Sequence, residues 1–460
     1  MNSPLLSRRS QQGSALLVCM IIAAVMGITL ASYLLLTQAN YQSVVRSQTW
    51  NQSMALTEAG VEDGLAMINK QNGNFADLPL WTNSATSDSW NSVGNGTYHV
   101  RRTLGSNGWG TNYYDVYITN AYSGPSISSI GVAAWNPPRA SASTQPLLAA
   151  VGNGPMALPP TRRKVAVATK LDSLFAVAMA AIQPINLNGN NIATDSFDSA
   201  DVNHSINGLY PFSNPSMVNS NGDVCTLATI ANSINVGNAN IKGKLKTGPK
   251  GTVAIGPNGF VTGGIADDFN VKFPDVILPV ASWTPVLGSG ITINGKNYIY
   301  FILSSGDYVL NGLTKSLYIA TNVNCRIRII GNVNLTGSDE IRIAQSARVK
   351  MFMQAASFKL AGNGIINNNG NADSFSYFGL PTNTSVDFGG NGGFTGTIYA
   401  PQADFKLGGG GNNVLDFIGA SVTKSVTMNG HFNFHYDENL RRVGPGRGYI
   451  PIGWKEVATN

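Results

Sequence analysis

Asp195, Asp198 and Asp201 fall at steps of three in the stretch Asp195-Ser196-Phe197-Asp198-Ser199-Ala200-Asp201. Three carboxylates so close supply the hard oxygens that Ca²⁺ takes. The EF-hand spacing, with its inner Gly and closing Glu, is absent, so a polar loop opening a β domain is expected. A second group is His431, His435, Asp437 and Glu438. On an extended strand His431 and His435 share a side but lie about 13 Å apart, too far to share a metal. His435 and Asp437 are near enough to pair, which predicts a structural hydrogen bond. Lys242, Lys244 and Lys246, with Lys250 nearby, project from one face of a strand and could meet phosphates or an acidic polymer. No aromatic residue alternates with them, so base stacking is not indicated and a solvated basic ladder is expected. A polysaccharide lyase or hydrolase would need acids paired in one groove. The acids available are Asp373, Asp387, Asp404 and Asp416, widely separated and joined by no motif. Phosphate loops, CxxC pairs and nucleophile elbows are missing as well. The expectation is no catalytic residue, no metal, no cofactor and no specific nucleic acid.

The elements that carry these residues follow from composition. Of 460 residues only 12% are charged, against roughly 25% in an ordinary soluble domain. Gly is abundant at 51 residues, and 43% hydrophobic content argues against global disorder. The net charge of +6 is thin over such a length and does not by itself indicate nucleic-acid binding. Three cysteines are too few for a disulfide framework. Cys325 alternates in phase with Val323, Ile327 and Ile329, which makes it a core residue.

Residues 14–36 contain no charge. As a helix they cover about 35 Å, enough to span a hydrocarbon core of about 30 Å. The run is too long for a cleaved secretory signal. Arg8 and Arg9 precede it and the next positive charge is Arg46, so the N-terminus is expected in the cytoplasm and the bulk outside. Trp50, Met54, Val61, Leu65 and Ile68 recur at helical steps. One helix of about 55 residues is therefore predicted, stopping near Asn72-Gly73. Gly60 and Gly64 should weaken it by up to about 1 kcal/mol each relative to Ala.

The sequence Ser7-Arg8-Arg9-Ser10-Gln11-Gln12-Gly13, followed directly by the apolar run, resembles the leader of type IV prepilins. The stretch from Ala55 to Ala66 resembles the stem of PilX-type minor pilins and pseudopilins. The resemblance covers about residues 7–70. It implies cleavage after Gly13 by a prepilin peptidase, N-methylation of Ser14, and other pilin or pseudopilin subunits as partners. Major pilins carry a glutamate where this chain has Val18. That departure implies a minor, tip or initiating subunit, or one that never polymerises.

Between 80 and 172, alternating runs at 97–102, 113–119, 126–132 and 164–171 predict a small antiparallel sheet. From 175 to 440, short alternations separated by Gly and Asn predict strands with frequent corners. A right-handed parallel β-helix is the favoured architecture and a β-sandwich the alternative. The run Gly396 to Asp404 and the closing Gly430 to Asp437 resemble a bacterial β-solenoid domain of uncharacterised function. The predicted fold is mainly β: leader 1–13, membrane-spanning stem 14–70, head 80–172, β-helix 175–440 and tail 441–460. The expected function is an inner-membrane, pilin-like subunit of a pilus or type II secretion pseudopilus that displays its β domain for surface or polysaccharide contact. A membrane-tethered polysaccharide-active enzyme and a non-polymerising envelope scaffold are the alternatives.

Overall fold

The computed structural model describes residues 12–70, 88–107, 110–121, 124–135, 159–189, 192–390, 392–409 and 413–458. Most of the expected leader and the Asn72-Gly73 stop lie outside them. The chain forms two compact units. One comprises residues 1–67, 85–169 and 451–460; the other comprises 68–84 and 170–450.

The first unit is a helix on a sheet. The helix Gln12–Ile68 has 57 residues, about 85 Å of rise. Its span from Leu16 to Leu36 leaves its large apolar side chains exposed, and the helix is long and apolar enough to cross a membrane. Farther down, Val45, Thr49, Ser53, Leu56, Thr57, Val61 and Met67 are buried. With the buried Gly60 and Gly64 between them, they recur mostly at steps of three and four and keep to one face. Val61 and Ile68 are buried as the apolar spacing predicts, and Met54 and Leu65 are half-buried. Trp50 is exposed instead, with the Arg163 guanidinium 4.4 Å over its ring.

The sheet runs in the order Asn91–Gly94, Thr97–Asn107, Gly110–Thr119, Ser126–Ala133, Thr161–Ser173, Gly446–Val457. The first five strands pair antiparallel. The sixth comes from the segment expected as a tail. Strand alternation sends Val100, Val116, Ser129 and Val165 to one face in a single register row, and Ile118, Ile127 and Val167 in the next. The helix lies against these rows. A Cβ on Gly60 would stand 3.0 Å from Val116 Cγ2, and one on Gly64 would stand 2.8 Å from Ile127 Cγ2. A Cβ on Gly131 would stand 2.5 Å from Thr57 N, whose Oγ1 accepts the Gly131 N–H at 3.1 Å. Gly60 and Gly64 are thus contact points that let side chains of the sheet reach the helix backbone, and Gly131 lets the sheet backbone approach the helix. Their low helix propensity is offset by packing.

The second unit is built from short parallel strands. Its named pairs are parallel throughout except the hairpin Ile291–Ile293/Lys296–Tyr298. That excludes the hairpin-connected sandwich. In one ladder Gly306 pairs Cys325, Cys325 pairs Val349 and Val349 pairs Phe375. Each of these returns takes a longer stretch of chain than the one before, so the ladder has no fixed sequence period. Parallel register places like positions above one another. Phe394, Phe417 and Phe434 stack at 4.5 and 4.3 Å between centroids, and Phe352 stacks on Phe378 at 5.3 Å.

The order of the strands in space is not their order in sequence. Met179–Ala181 pairs on one side with Leu415–Met428 and on the other with Val224–Thr226. The first strands therefore sit inside the stack. Eleven strands form this ladder: Thr284–Pro285, Gly306–Leu310, Asn324–Ile329, Arg348–Met353, Phe375–Gly379, Phe394–Leu407, Leu415–Met428, Met179–Ala181, Val224–Thr226, Leu245–Lys246 and Ile265–Ala266. Ten steps of about 4.8 Å make roughly 48 Å. The chain from Ala266 to Thr284 must cross that distance, and its reach is about 60 Å fully extended. It has no regular secondary structure and is nearly taut. Tyr399 O–H donates to Pro274 O at 2.7 Å, Gln402 Nε2 donates to Asp275 Oδ1 at 2.8 Å, and Trp283 packs edge-on to Phe352.

Corners use Gly and Asn in two ways. Asn232, Asn322 and Gly237 adopt the left-handed conformation, with φ of +55°, +61° and +56°. Gly390, Gly409, Gly430 and Gly189 instead form a column. A Cβ on each would overlap a carbonyl oxygen of the glycine before it, from Gly362 through Gly390 and Gly409 to Gly430.

Candidate functional site

The two titratable clusters, one opening the second unit and one closing it, meet in the fold. Residues 198–222 leave the parallel stack after Ala193–Phe197 and rejoin it at Val224–Thr226. Ala193–Phe197 pairs in register with Phe432–Asp437, placing Asp195 beside His435. His435 Nδ1 lies 2.6 Å from Asp195 Oδ1, and Nε2 lies 3.1 Å from Asp416 Oδ1. Neither carboxylate can donate when ionised, so a ring bonded at both nitrogens is an imidazolium. Burial alone would lower the basicity of His435; the hydrogen bonds to Asp195 and Asp416 outweigh it and raise the pKa. Tyr210 O–H donates to Asp195 Oδ2 at 2.9 Å, and its ring lies on the imidazole at 3.7 Å. Phe212 packs edge-on to Tyr210 at 4.7 Å.

The expected pairing of His435 with Asp437 is not the one formed. Residues 435 and 437 share a face of the strand, but across-strand register brings Asp195 and Asp416 to the imidazole instead. Asp437 accepts from the backbone N–H of Ser199 and Asn439. Burial raises its pKa despite those bonds. Glu438 Oε1 accepts from Ser196 Oγ, Asn219 Nδ2 and Asn221 Nδ2 at 2.9, 3.1 and 2.8 Å. Asp198 pairs with Arg442. Asp201 caps its own turn by accepting from the backbone N–H and the side-chain amide of Asn203. Thus Asp195 and Asp198 tie the 198–222 excursion to the rest of the unit by separate contacts, and Asp201 closes a turn within it. Among the described residues no group of three or more His, Cys, Asp and Glu is arranged to hold a metal ion.

The remaining expected residues lie apart. Lys242 and Lys244 are exposed and Lys246 is half-buried, with Gly243 and Leu245 turned inward. Lys246 Nζ pairs with Asp268 at 3.1 Å. Asp373 pairs with Arg348, Asp404 accepts from Ser425 Oγ and Lys424, and Asp387 sits in register between Lys359 and Lys406. Of these four acids only Asp416 reaches the His435 site. Cys225 and Cys325 are buried free thiols; burial pushes Cys325 up to about 12. Gly13 and Ser14 fall within the first turns of the long helix, and Val18 is exposed on it.

Two groups escaped the sequence pattern. Tyr210 and Phe212, an aromatic pair bracketing Pro211 in an otherwise Asn- and Ser-rich stretch, were the available signal for the first. The second is Glu340. It is buried and accepts from Lys296 Nζ, Tyr298 O–H at 2.6 Å and Arg342 Nε at 2.8 Å. Burial favours its neutral form, but these three donors prevail and hold it down at about 2.

A family model described as a domain of unknown function (DUF7305) matches residues 296–443. No curated protein matches the chain. Solved structures similar to it include the following two. The competence-associated pilin ComZ from Thermus thermophilus aligns at 10% identity over 88% of this chain and 97% of its own, with a TM-score of 0.26. An ice binding protein from an Antarctic bacterium, Flavobacteriaceae, aligns at 12% identity over 57% of this chain and 82% of its own, with a TM-score of 0.18. At these scores neither likeness carries a structural argument.

Proposed function

We propose that the chain is a membrane-anchored, pilin-like structural subunit, a minor or tip component of a type IV pilus or type II secretion pseudopilus. The observation that carries this is one continuous helix with two kinds of surface. Its first part is apolar and unburied, suited to lipid or to neighbouring helices. Its second part is clamped to an antiparallel sheet through Thr57, Gly60 and Gly64. The prepilin-like leader before Gly13 supports the same reading, with a prepilin peptidase and other pilin-type subunits as partners. Val18 offers no carboxylate for a neighbour's amino terminus. That favours a terminal or minor position over the body of a fibre.

The parallel unit is read as a β-solenoid displayed on the outer side of the inner membrane or on a fibre. Its successive in-register returns and stacked aromatic columns support that reading. The role is structural rather than catalytic: the expected acids are dispersed and most are held in ion pairs. A photo-crosslinking residue at Leu30 in the full chain, expressed in host membranes, tests the assembly. Adducts with subunits bearing similar leaders are expected. Adducts with lipid alone would overturn the subunit reading.

A further inference from the structure

We infer that the groove beside His435 binds a single neutral pyranose sugar. This rests on the reading of the parallel unit as displayed outside the membrane, and gives that display a ligand. The groove has a volume of about 290 Å³ and is walled by Tyr210, Phe212, Val414, Asp416, Asn433 and His435. One wall is aromatic. Phe212 is 60% exposed although the unit has a large apolar core that could have taken it. It is held out by an edge contact with Tyr210 and a backbone bond from its N–H to Tyr210 O at 3.0 Å, between Pro211 and Pro215. Tyr210 is itself fixed by its bond to Asp195 and its contact with the imidazole. Both rings are therefore positioned by contacts within the chain itself.

The rest of the lining includes polar groups. Asp416 and Asn433 are register partners on adjacent parallel strands. Asp416 gives Oδ1 to His435, and its side chain remains 36% exposed, which leaves Oδ2 as an acceptor. The Asn433 amide offers both a donor and an acceptor. An aromatic surface in one groove with a carboxylate and an amide matches a pyranose, whose C–H face is apolar and whose rim carries hydroxyls. A wholly apolar ligand would leave Asp416 and Asn433 unpaired.

Charge selects further. Asp195 and Asp416 against the His435 imidazolium leave one net negative charge, which disfavours an acidic sugar. A cation would meet the imidazolium already seated between both carboxylates. The volume lies at the small end of ligand sites and fits one ring rather than a buried chain.

Saturation-transfer NMR on the full chain in a sugar-free zwitterionic detergent tests this. The probes are the methyl glycosides of glucose, galactose, mannose and N-acetylglucosamine, with methyl galacturonoside as the acidic comparison. At least one neutral glycoside should bind saturably, with the strongest transfer to ring C–H protons. Phe212→Ala should weaken it about tenfold or more, Phe212→Trp should preserve it, and Asn433→Ala should weaken it. The galacturonoside should bind about tenfold more weakly than the best neutral probe. The inference is overturned if no neutral glycoside saturates, if Phe212→Ala binds as wild type does, or if the galacturonoside binds most tightly. The assay reads binding without regard to leader processing or assembly, so its failure would leave the subunit proposal standing.

Discussion

The two units use the same small residue to solve opposite packing problems. In the helix-and-sheet unit Gly60, Gly64 and Gly131 sit where two different kinds of element touch. There glycine removes side chains so that an α-helix can approach a β-sheet. In the parallel unit Gly390, Gly409 and Gly430 sit where like meets like, each against the carbonyl of the glycine before it. There glycine lets successive returns of the chain lie one strand spacing apart. The aromatic residues divide differently. The parallel unit stacks them in register into columns, whereas Trp50 of the other unit is exposed beneath an arginine. Close approach, more than left-handed backbone, is what these glycines supply.

The sharpest way to break the contrast is to remove an aromatic from a column. Phe417→Ala should cost about 4 kcal/mol in urea unfolding of the parallel unit, because Phe417 stacks on both Phe394 and Phe434. A loss below about 1 kcal/mol would mean that the column is not a core. Next come the glycines. Gly131→Val and Gly409→Ala should each cost about 3 kcal/mol, the former sensed by hydrogen exchange in the lower helix and the latter in the parallel strands. If both effects appeared in the same unit, the division of the chain would be wrong.

A smaller effect separates the units by pH. Burial alone would lower the pKa of His435, but its hydrogen bonds to Asp195 and Asp416 outweigh burial, so its folded pKa lies above the ordinary value of 6.5. Its contribution is fully present below that value and is lost as pH rises through the folded pKa. Glu340 is the reverse. Its contribution is present above the ordinary 4.5 and is lost as pH falls towards about 2. Urea midpoints of the parallel unit should therefore decline on the alkaline side, and His435→Gln should flatten that arm while leaving the acid arm intact. Least of all, Lys242→Ala with Lys244→Ala should change stability by no more than about 0.5 kcal/mol.

What was legible in the sequence differs between the units for physical reasons. The membrane-length helix was legible because an uncharged run of that length has few other homes, and the antiparallel strands because alternation is local. The buried stripe on the lower helix was only partly legible. Apolar residues alone marked it, whereas Thr49, Ser53, Thr57, Gly60 and Gly64 supply much of its contact. Parallel strands were legible as corners and alternation but not as an order. The returns differ in length, and nothing local says that Ala266 must be tied to Thr284 across the whole stack. The His435 site was half legible. Both clusters stood out, but their meeting is a matter of register between strands far apart in sequence, and Tyr210 and Phe212 carry no titratable signal near neutral pH.

Intact-mass analysis of the full chain purified from its host membranes tests the pilin-like account most directly. A pilin-like subunit should have lost residues 1–13 and should carry one added methyl group at Ser14. A chain still beginning at Met1, without that methyl group, would contradict it.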